Sequence, residues 1–165
     1  MKLQRWFLLI ILLGSSFAQA DFQSESWTVP PGLPEYQVIR VIDGDTILVN
    51  GLGKIRYIGI DAPEFRHPTK GEERLGFEAY EYNKKLLRDK LVKLEFDIER
   101  RDKYDRVLAY VYAGSIFVNT SLVETGYAKV MTVPPNVKYR KLFLYFQERA
   151  KKDKRGLWGL NDIIE

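Results

Sequence analysis

The sequence predicts an α+β domain built on a small, partly open five-stranded β-barrel of OB-fold type, and three observations carry that expectation. Five short runs, at 36–42, 46–49, 54–60, 92–97 and 106–112, have strand character and are bounded by Gly, Asp, Asn or Pro. An amphipathic helical stretch interrupts them after the third run. Two more helical stretches follow the fifth. Strands this short and twisted bury their faces most readily by curling together.

Taken in order, the first two runs meet at Asp43-Gly44, a dipeptide that suits a tight hairpin, so three consecutive antiparallel strands are expected. Residues 72–89 place Leu75, Ala79, Tyr82 and Leu86 at spacings of four, three and four, the apolar stripe of a helix. A shorter helix is expected from Asn119, a good N-cap, to Gly126, a good stop. The last helix is expected to start near Asn136 and to end before Gly156. It carries Leu142, Phe146 and Ala150 on one face and a dense set of Lys and Arg on the other.

Composition fits one folded unit with short appendages. Of 165 residues 45% are apolar, 29% charged and 13% aromatic, a globular balance that excludes a disordered chain. Residues 1–20 read as an export signal: Lys2 and Arg5 precede an apolar run from Trp6 to Leu13, and Ala18-Gln19-Ala20 offers a small-residue cleavage site. The apolar run is well short of the roughly 20 residues that span a bilayer. No cysteine follows it to carry a lipid, so no stable membrane association is expected once the signal is removed. A secreted or periplasmic monomer is the expectation. Residues 21–35 hold three prolines and no sustained periodicity and are expected to form a flexible leader, with the domain at 36–160 and a tail at 161–165.

Net charge says little about partners. Loss of residues 1–20 takes away two cations and no anion, leaving 24 basic and 22 acidic residues. Only clustering of cations in space would then favour nucleic acid, because the phosphate backbone responds to local potential. Cysteine is absent, so packing must stabilise the fold, with a bound ion as an optional addition.

Two segments set polar chemistry against apolar strands. One is Val41-Ile42-Asp43-Gly44-Asp45-Thr46; the other runs from Ile55 to Glu64, with Arg56 inside an apolar strand and two acids, Asp61 and Glu64, either side of Pro63. Taken alone, Asp43-Gly44 is a turn. A buried arginine needs an anionic partner, so Arg56 either pairs internally with Asp61 or Glu64 or faces an open site and meets phosphate. Strict alternation puts Arg56 and Asp61 on opposite faces. A bulge or turn near Gly59, or a position past the strand end, must bring them together if they share a site. A third segment, Arg101 to Tyr112, is a basic turn entering an apolar strand, with Arg106 at the boundary. By itself it reads more readily as a solvated turn, since charge runs usually face water.

With these stretches in view, the chain resembles the staphylococcal nuclease family from residue 37 to 159. The matching motifs are D-G-D-T at 43–46, R-x-x-x-x-D-x-P-E at 56–64, H-P-x-K-G at 67–71, D-K-Y-x-R-x-L-A-Y-V-Y at 102–112 and G-x-A-K-V at 126–130. The resemblance implies an OB-fold nuclease that uses Ca2+ to hydrolyse DNA and RNA and leaves 3′-phosphates. It assigns Asp45, Asp61 and the main-chain carbonyl of Ala62 to the metal. It assigns Glu64 to the attacking water and Arg56 and Arg106 to the scissile phosphate, and it sets Lys70, Lys103 and Tyr104 near the nucleotide. The chemistry is coherent, since calcium takes six to eight oxygens and two carboxylates with a carbonyl leave room for water and phosphate. His67 is the only histidine and cysteine is absent, so zinc lacks its usual ligands.

Three positions depart from the family pattern. Ala62 stands where Thr is common, which keeps the carbonyl. Asp105 replaces a frequent Gly, and Asp tolerates left-handed geometry. Met131-Thr132-Val133-Pro134-Pro135 stands where members carry tyrosines near the nucleotide, so stacking there would fall to Tyr104 or Tyr139. The competing readings are a non-catalytic OB-fold module that binds single strands or oligosaccharides, and an exported interaction domain whose charges form an internal network.

Overall fold

A computed structural model describes residues 27–65, 71 and 73–163. The expected export signal at 1–20 lies outside the described residues. In chain order the elements are β1 (Glu35–Asp43), β2 (Thr46–Val49), β3 (Gly53–Tyr57), β4 (Ile60–Asp61), α1 (Gly76–Leu87), β5 (Leu91–Glu95), β6 (Val107–Ala113), β7 (Ile116–Phe117), α2 (Val118–Glu124), β8 (Lys129–Val130) and α3 (Arg140–Lys152), followed by a 3-10 stretch at Gly156–Ile163. Among the described residues no helix is long and apolar enough to cross a membrane.

Five strands make the barrel, in the order β3-β2-β1-β5-β6, and β3 then pairs with β6 to close it. That closing pair is parallel, with Ile55 opposite Val107 and Tyr57 opposite Ala109, while the other four pairings are antiparallel. The expected α+β barrel of OB-fold type is what forms, and it is closed rather than partly open. Closure leaves no long unpaired edge. Strand β1 supplies the curvature: it pairs with β5 through Glu35–Gln37 and with β2 through Val38–Asp43, and its register with β2 slips twice, between Val38 and Arg40 and between Val41 and Asp43. Ile47, Ile55, Leu94 and Val111 fill the interior, and Phe117, Leu122 and Phe143 seal it where α2 and α3 pack.

The expected third strand at 54–60 is two strands. β3 stops at Tyr57, a turn at Ile58-Gly59 follows, and β4 pairs instead with β8, Asp61 opposite Lys129. Gly59 sits at φ +81°, in the left-handed region, and a Cβ there would stand 2.7 Å from Cε2 of Phe143. Both strain and overlap therefore oppose any side chain. Gly59→Ala is expected to cost about 2–4 kcal/mol of stability, read as a lowered thermal midpoint.

Helix boundaries differ from the sequence expectation for identifiable reasons. α1 begins at Gly76 rather than near residue 72, because Leu75 at φ 67° is left-handed and cannot continue a helix. Its buried face comprises Ala79, Asn83, Leu86 and Leu87. α2 starts at Val118, and Asn119 is not its cap. The Asn119 side chain is buried, accepting from Val111 N at 2.9 Å and donating to the Ile58 carbonyl at 2.9 Å, so it ties β6 to the turn before β4. α3 starts at Arg140 because Asn136 is committed elsewhere: its amide makes two 2.8 Å bonds to the backbone of Glu99. Residues 27–34, within the expected flexible leader, run against the barrel, where Trp27 packs edge-on against Phe117 with ring centroids 5.4 Å apart.

Candidate active site

The two-residue turn between β1 and β2 places Asp45 inside the protein, at 4% exposure. Gly44 makes that possible, since a Cβ on it would lie 2.6 Å from Cβ of Ala62 and 2.9 Å from that of Ala79. With only hydrogen there, the turn lies directly on Ala62. Asp45 Oδ2 accepts a hydrogen bond from Ala62 N at 2.8 Å, and its Oδ1 accepts one from Thr46 Oγ1 at 3.0 Å.

Arg56, in β3, comes from the opposite side and is also buried. Its Nη1 donates to the carbonyls of Tyr57 and Ile60 at 3.0 and 2.8 Å, bracing the turn that separates β3 from β4. Its Nη2 lies 3.0 Å from Asp45 Oδ2 and 3.0 Å from Asp61 Oδ1. The Ile58-Gly59 turn thus brings Arg56 and Asp61 together despite their odd spacing. The internal Arg56–Asp61 pair is present too, and Nη2 occupies the point where both carboxylates meet. Lys129 Nζ, 3.2 Å from Asp61 Oδ2, holds the second oxygen.

Burial pushes the carboxyl of Asp45 up to about 6, even against the lowering effect of Arg56 beside it. Its ionised form is therefore disfavoured by on the order of 3 kcal/mol relative to water. A further cation beside it would remove that cost. The donors are hard oxygens throughout, which fits a hard divalent ion and not a thiolate or imidazole metal. Among the described residues no three Asp, Glu, His or Cys side chains gather as a closed cage.

Glu64 follows Pro63 on an exposed loop whose backbone is clamped by Glu73. Glu64 N donates to Glu73 Oε2 at 3.2 Å, and Glu73 N donates to the Glu64 carbonyl at 2.8 Å. A hydrogen bond shared with Asp43 raises the Glu64 carboxyl to about 7, helped by partial burial and by the charges of Asp43, Asp45 and Glu73. Asp43 is itself anchored, accepting from Gly44 N at 2.7 Å and Phe65 N at 3.3 Å. Deprotonated Glu64 accepts a proton, so its competent fraction grows as pH rises through about 7 and is lost below it. A carbon-13 NMR titration of Glu64 without metal is expected to show a midpoint near 7 that falls when calcium is added. A midpoint near 4, the ordinary value, would contradict the Asp43 bond.

Arg106 opens β6 on the far side of Arg56. Asp102 holds it twice, accepting from Nε at 2.7 Å and from its backbone N at 3.0 Å. The bonds from Arg106 draw the Asp102 carboxyl below its ordinary value in spite of burial. The guanidinium lies 5.4 Å from the ring centroid of Tyr104, which is 68% exposed, and Lys103 Nζ lies 5.0 Å from the same ring. Arg56, Arg106, Lys103 and Tyr104 line one cavity of about 550 Å³ together with Met131 and Val133. Tyr139 is not part of it: its hydroxyl donates to Glu95 at 2.9 Å, and its ring packs edge-on against Tyr110 and Phe117. Lys70 and His67 lie outside the described residues.

The structure therefore brings Asp45, Arg56, Asp61, Ala62 and Glu64 together, with Arg106, Lys103 and Tyr104 across the Arg56 cavity. It adds four residues that sequence reasoning did not single out. Asp43 read as a turn residue, Lys129 stood only within the G-x-A-K-V motif, Asp102 within a charged turn, and Glu73 carried no signal.

Comparison with known proteins gives the family of the chain. The family described as "Staphylococcal nuclease homologue" matches residues 54–159. The thermonuclease of Staphylococcus hyicus is 40% identical over 127 residues, which cover 75% of each chain. The thermonuclease of Staphylococcus intermedius is 41% identical over 126 residues, 74% of this chain and 75% of the relative. Endonuclease YncB of Bacillus subtilis is 42% identical over 130 residues, 76% of this chain and 62% of the relative. Barrel topology, the family match over residues 54–159, and about 40% identity to the thermonucleases across three-quarters of the chain lead to one conclusion: this chain belongs to the staphylococcal nuclease family.

Proposed function

We propose that this chain is an exported, calcium-dependent nuclease that hydrolyses phosphodiester bonds of DNA and RNA and leaves 3′-phosphate ends. The observation that carries the reading is that Asp45 Oδ2 and Asp61 Oδ1 both face Arg56 Nη2 at 3.0 Å, with Glu64 bound to the Asp45 turn through Asp43.

Asp45, Asp61 and the main-chain carbonyl of Ala62 would hold the ion, which supplies positive charge to the phosphate and to the oxygen attacking it. The chain's own groups do the rest. Glu64 takes a proton from water as the water oxygen bonds to phosphorus, and the bond from phosphorus to the 5′-oxygen breaks. The departing 5′-oxygen takes a proton from a solvent water and leaves as a hydroxyl, and Glu64 later returns its proton to solvent. A phosphodiester gains negative charge in the transition state, so cations fixed in advance bind that state better than the substrate. Arg106, aimed by Asp102, would grip the phosphate, and Arg56, whose Nη groups are held by Asp45, Asp61 and two carbonyls, would add its charge beside it. Tyr104 and Lys103 flank the cavity into which a nucleotide would enter.

Incubation of the purified protein with plasmid DNA and with RNA in calcium is expected to shorten both, giving ends with 5′-hydroxyls and 3′-phosphates. Binding of DNA with no cutting in Ca, Mg or Mn would favour the non-catalytic OB-fold module instead. Products carrying 5′-phosphates would remove the proposed leaving group.

A further inference from the structure

Immediately after Glu64 the chain builds a second surface that the hydrolytic groups do not use. Phe65 stacks on Tyr80 of α1, with centroids 4.9 Å apart and planes inclined by 23°, and packs against Phe77 at 5.3 Å. Phe77 is 47% exposed. None of these rings lines the cavity beside Arg106 and Tyr104. Phe65 is tied to the site by its backbone, which donates to the Asp43 carboxylate.

The aromatic surface runs into a groove. Tyr80 also lines a cleft of about 540 Å³ between β1 and the C-terminal half of α1, where Arg40, Lys84, Arg88 and Lys90 face a single acid, Asp89. Lys84 Nζ stands 5.5 Å from the Tyr80 ring centroid and pairs with Glu81 at 3.1 Å. Ile39 and Leu91, each more than half exposed, add apolar surface to the same cleft. Phe77 is exposed and Phe65 and Tyr80 are half-buried, and such rings beside several cations are the two components by which proteins hold unpaired nucleic-acid strands: rings stack on base faces, and cations track phosphates. A duplex hides its base faces, so such rings favour a single strand.

We infer that Phe65, Phe77 and Tyr80, with Arg40, Lys84, Arg88 and Lys90, form a second subsite that binds the unpaired strand of a substrate beyond the scissile phosphate. The inference rests on the nuclease reading. It makes long single strands better substrates than short ones, because stacking and phosphate contacts on this surface add to those at Arg56 and Arg106. Charge complementarity and continuity with Glu64 through Phe65 identify the occupant as the same nucleic acid strand.

The test compares kcat/KM for a dinucleotide and for a 12-nucleotide single strand, using the full chain, the Phe77→Ala/Tyr80→Ala pair and the Arg40→Glu/Arg88→Glu pair. The preference for the 12-mer is expected to fall about tenfold in each variant, through KM and not kcat. The charge variant should also flatten the salt dependence of 12-mer binding by about 1 in the log–log slope. An unchanged preference, or equal losses on both substrates, overturns the subsite. If the full chain cuts neither substrate, the nuclease reading fails. The subsite is then judged by fluorescence anisotropy, where the aromatic pair is expected to bind the labelled 12-mer about tenfold more weakly. Equal anisotropy-derived affinities in wild type and variant, or a duplex bound as tightly as the single strand, overturn it.

Discussion

Glu64→Gln is expected to lower kcat on single-stranded DNA by about a hundredfold to a thousandfold while the protein still folds and still binds calcium. Positioned general bases contribute on this scale. Gln retains the size and the backbone clamp from Glu73 but cannot accept a proton from water. The Asp43 hydrogen bond could persist, with the amide as donor, so the loss reports proton transfer and not collapse of the loop. Ion binding should hold because Glu64 is outside the proposed ligand set of Asp45, Asp61 and Ala62. Steady-state cleavage beside calorimetric calcium binding checks both halves. A variant as active as the wild type would remove Glu64 from the mechanism.

Arg106→Lys is expected to lower kcat/KM by about a hundredfold, although the charge is retained. The reason is geometric. Asp102 accepts from Nε of Arg106, and among the described residues no protein acceptor takes its two Nη groups, so in the proposed mechanism both are open to two phosphate oxygens. Lysine offers one ammonium that must serve Asp102 and the phosphate by turns, and loss of one such donor typically costs about 3 kcal/mol of transition-state stabilisation. Arg56→Lys is a less clean experiment. Arg56 Nη1 also braces the Ile58-Gly59 turn through two carbonyls, so its replacement should lower stability together with rate. The thermal midpoint distinguishes the two arginines: nearly unchanged for Arg106→Lys, lowered for Arg56→Lys.

Much of this architecture was legible in the sequence because it is local. Short alternating runs ending in Gly, Asp or Asn marked the strands, and Asp43-Gly44 marked the first hairpin, whose two turn residues are Gly44 and Asp45. The features that escaped depend on partners far along the chain. Asn119 has the chemistry of a cap, yet its amide is used by Ile58 and Val111. Asn136 is likewise used by Glu99. A left-handed Leu75 delays α1 at a residue whose side chain gives no hint of it. The requirement that Arg56 and Asp61 converge was readable from their odd spacing, and so was the suspicion of Gly59. The brace that Arg56 lays across that turn was not, since it uses backbone carbonyls that any sequence would supply. Asp43 was hidden by its own turn propensity, which is a sufficient reason for an Asp before Gly and masks a second role.

In the proposed mechanism the carboxylates of Asp45 and Asp61 are the seat of an ion without which the arginines and Glu64 cannot cut. The most direct test is the rate of single-stranded DNA cleavage as calcium is titrated into chelator-treated protein, with Asp45→Asn measured alongside. The expected result is negligible cutting in chelator, a saturable rise with calcium in the wild type, and no such rise in Asp45→Asn. Undiminished cutting in chelator, or a calcium response in Asp45→Asn equal to that of the wild type, would contradict it.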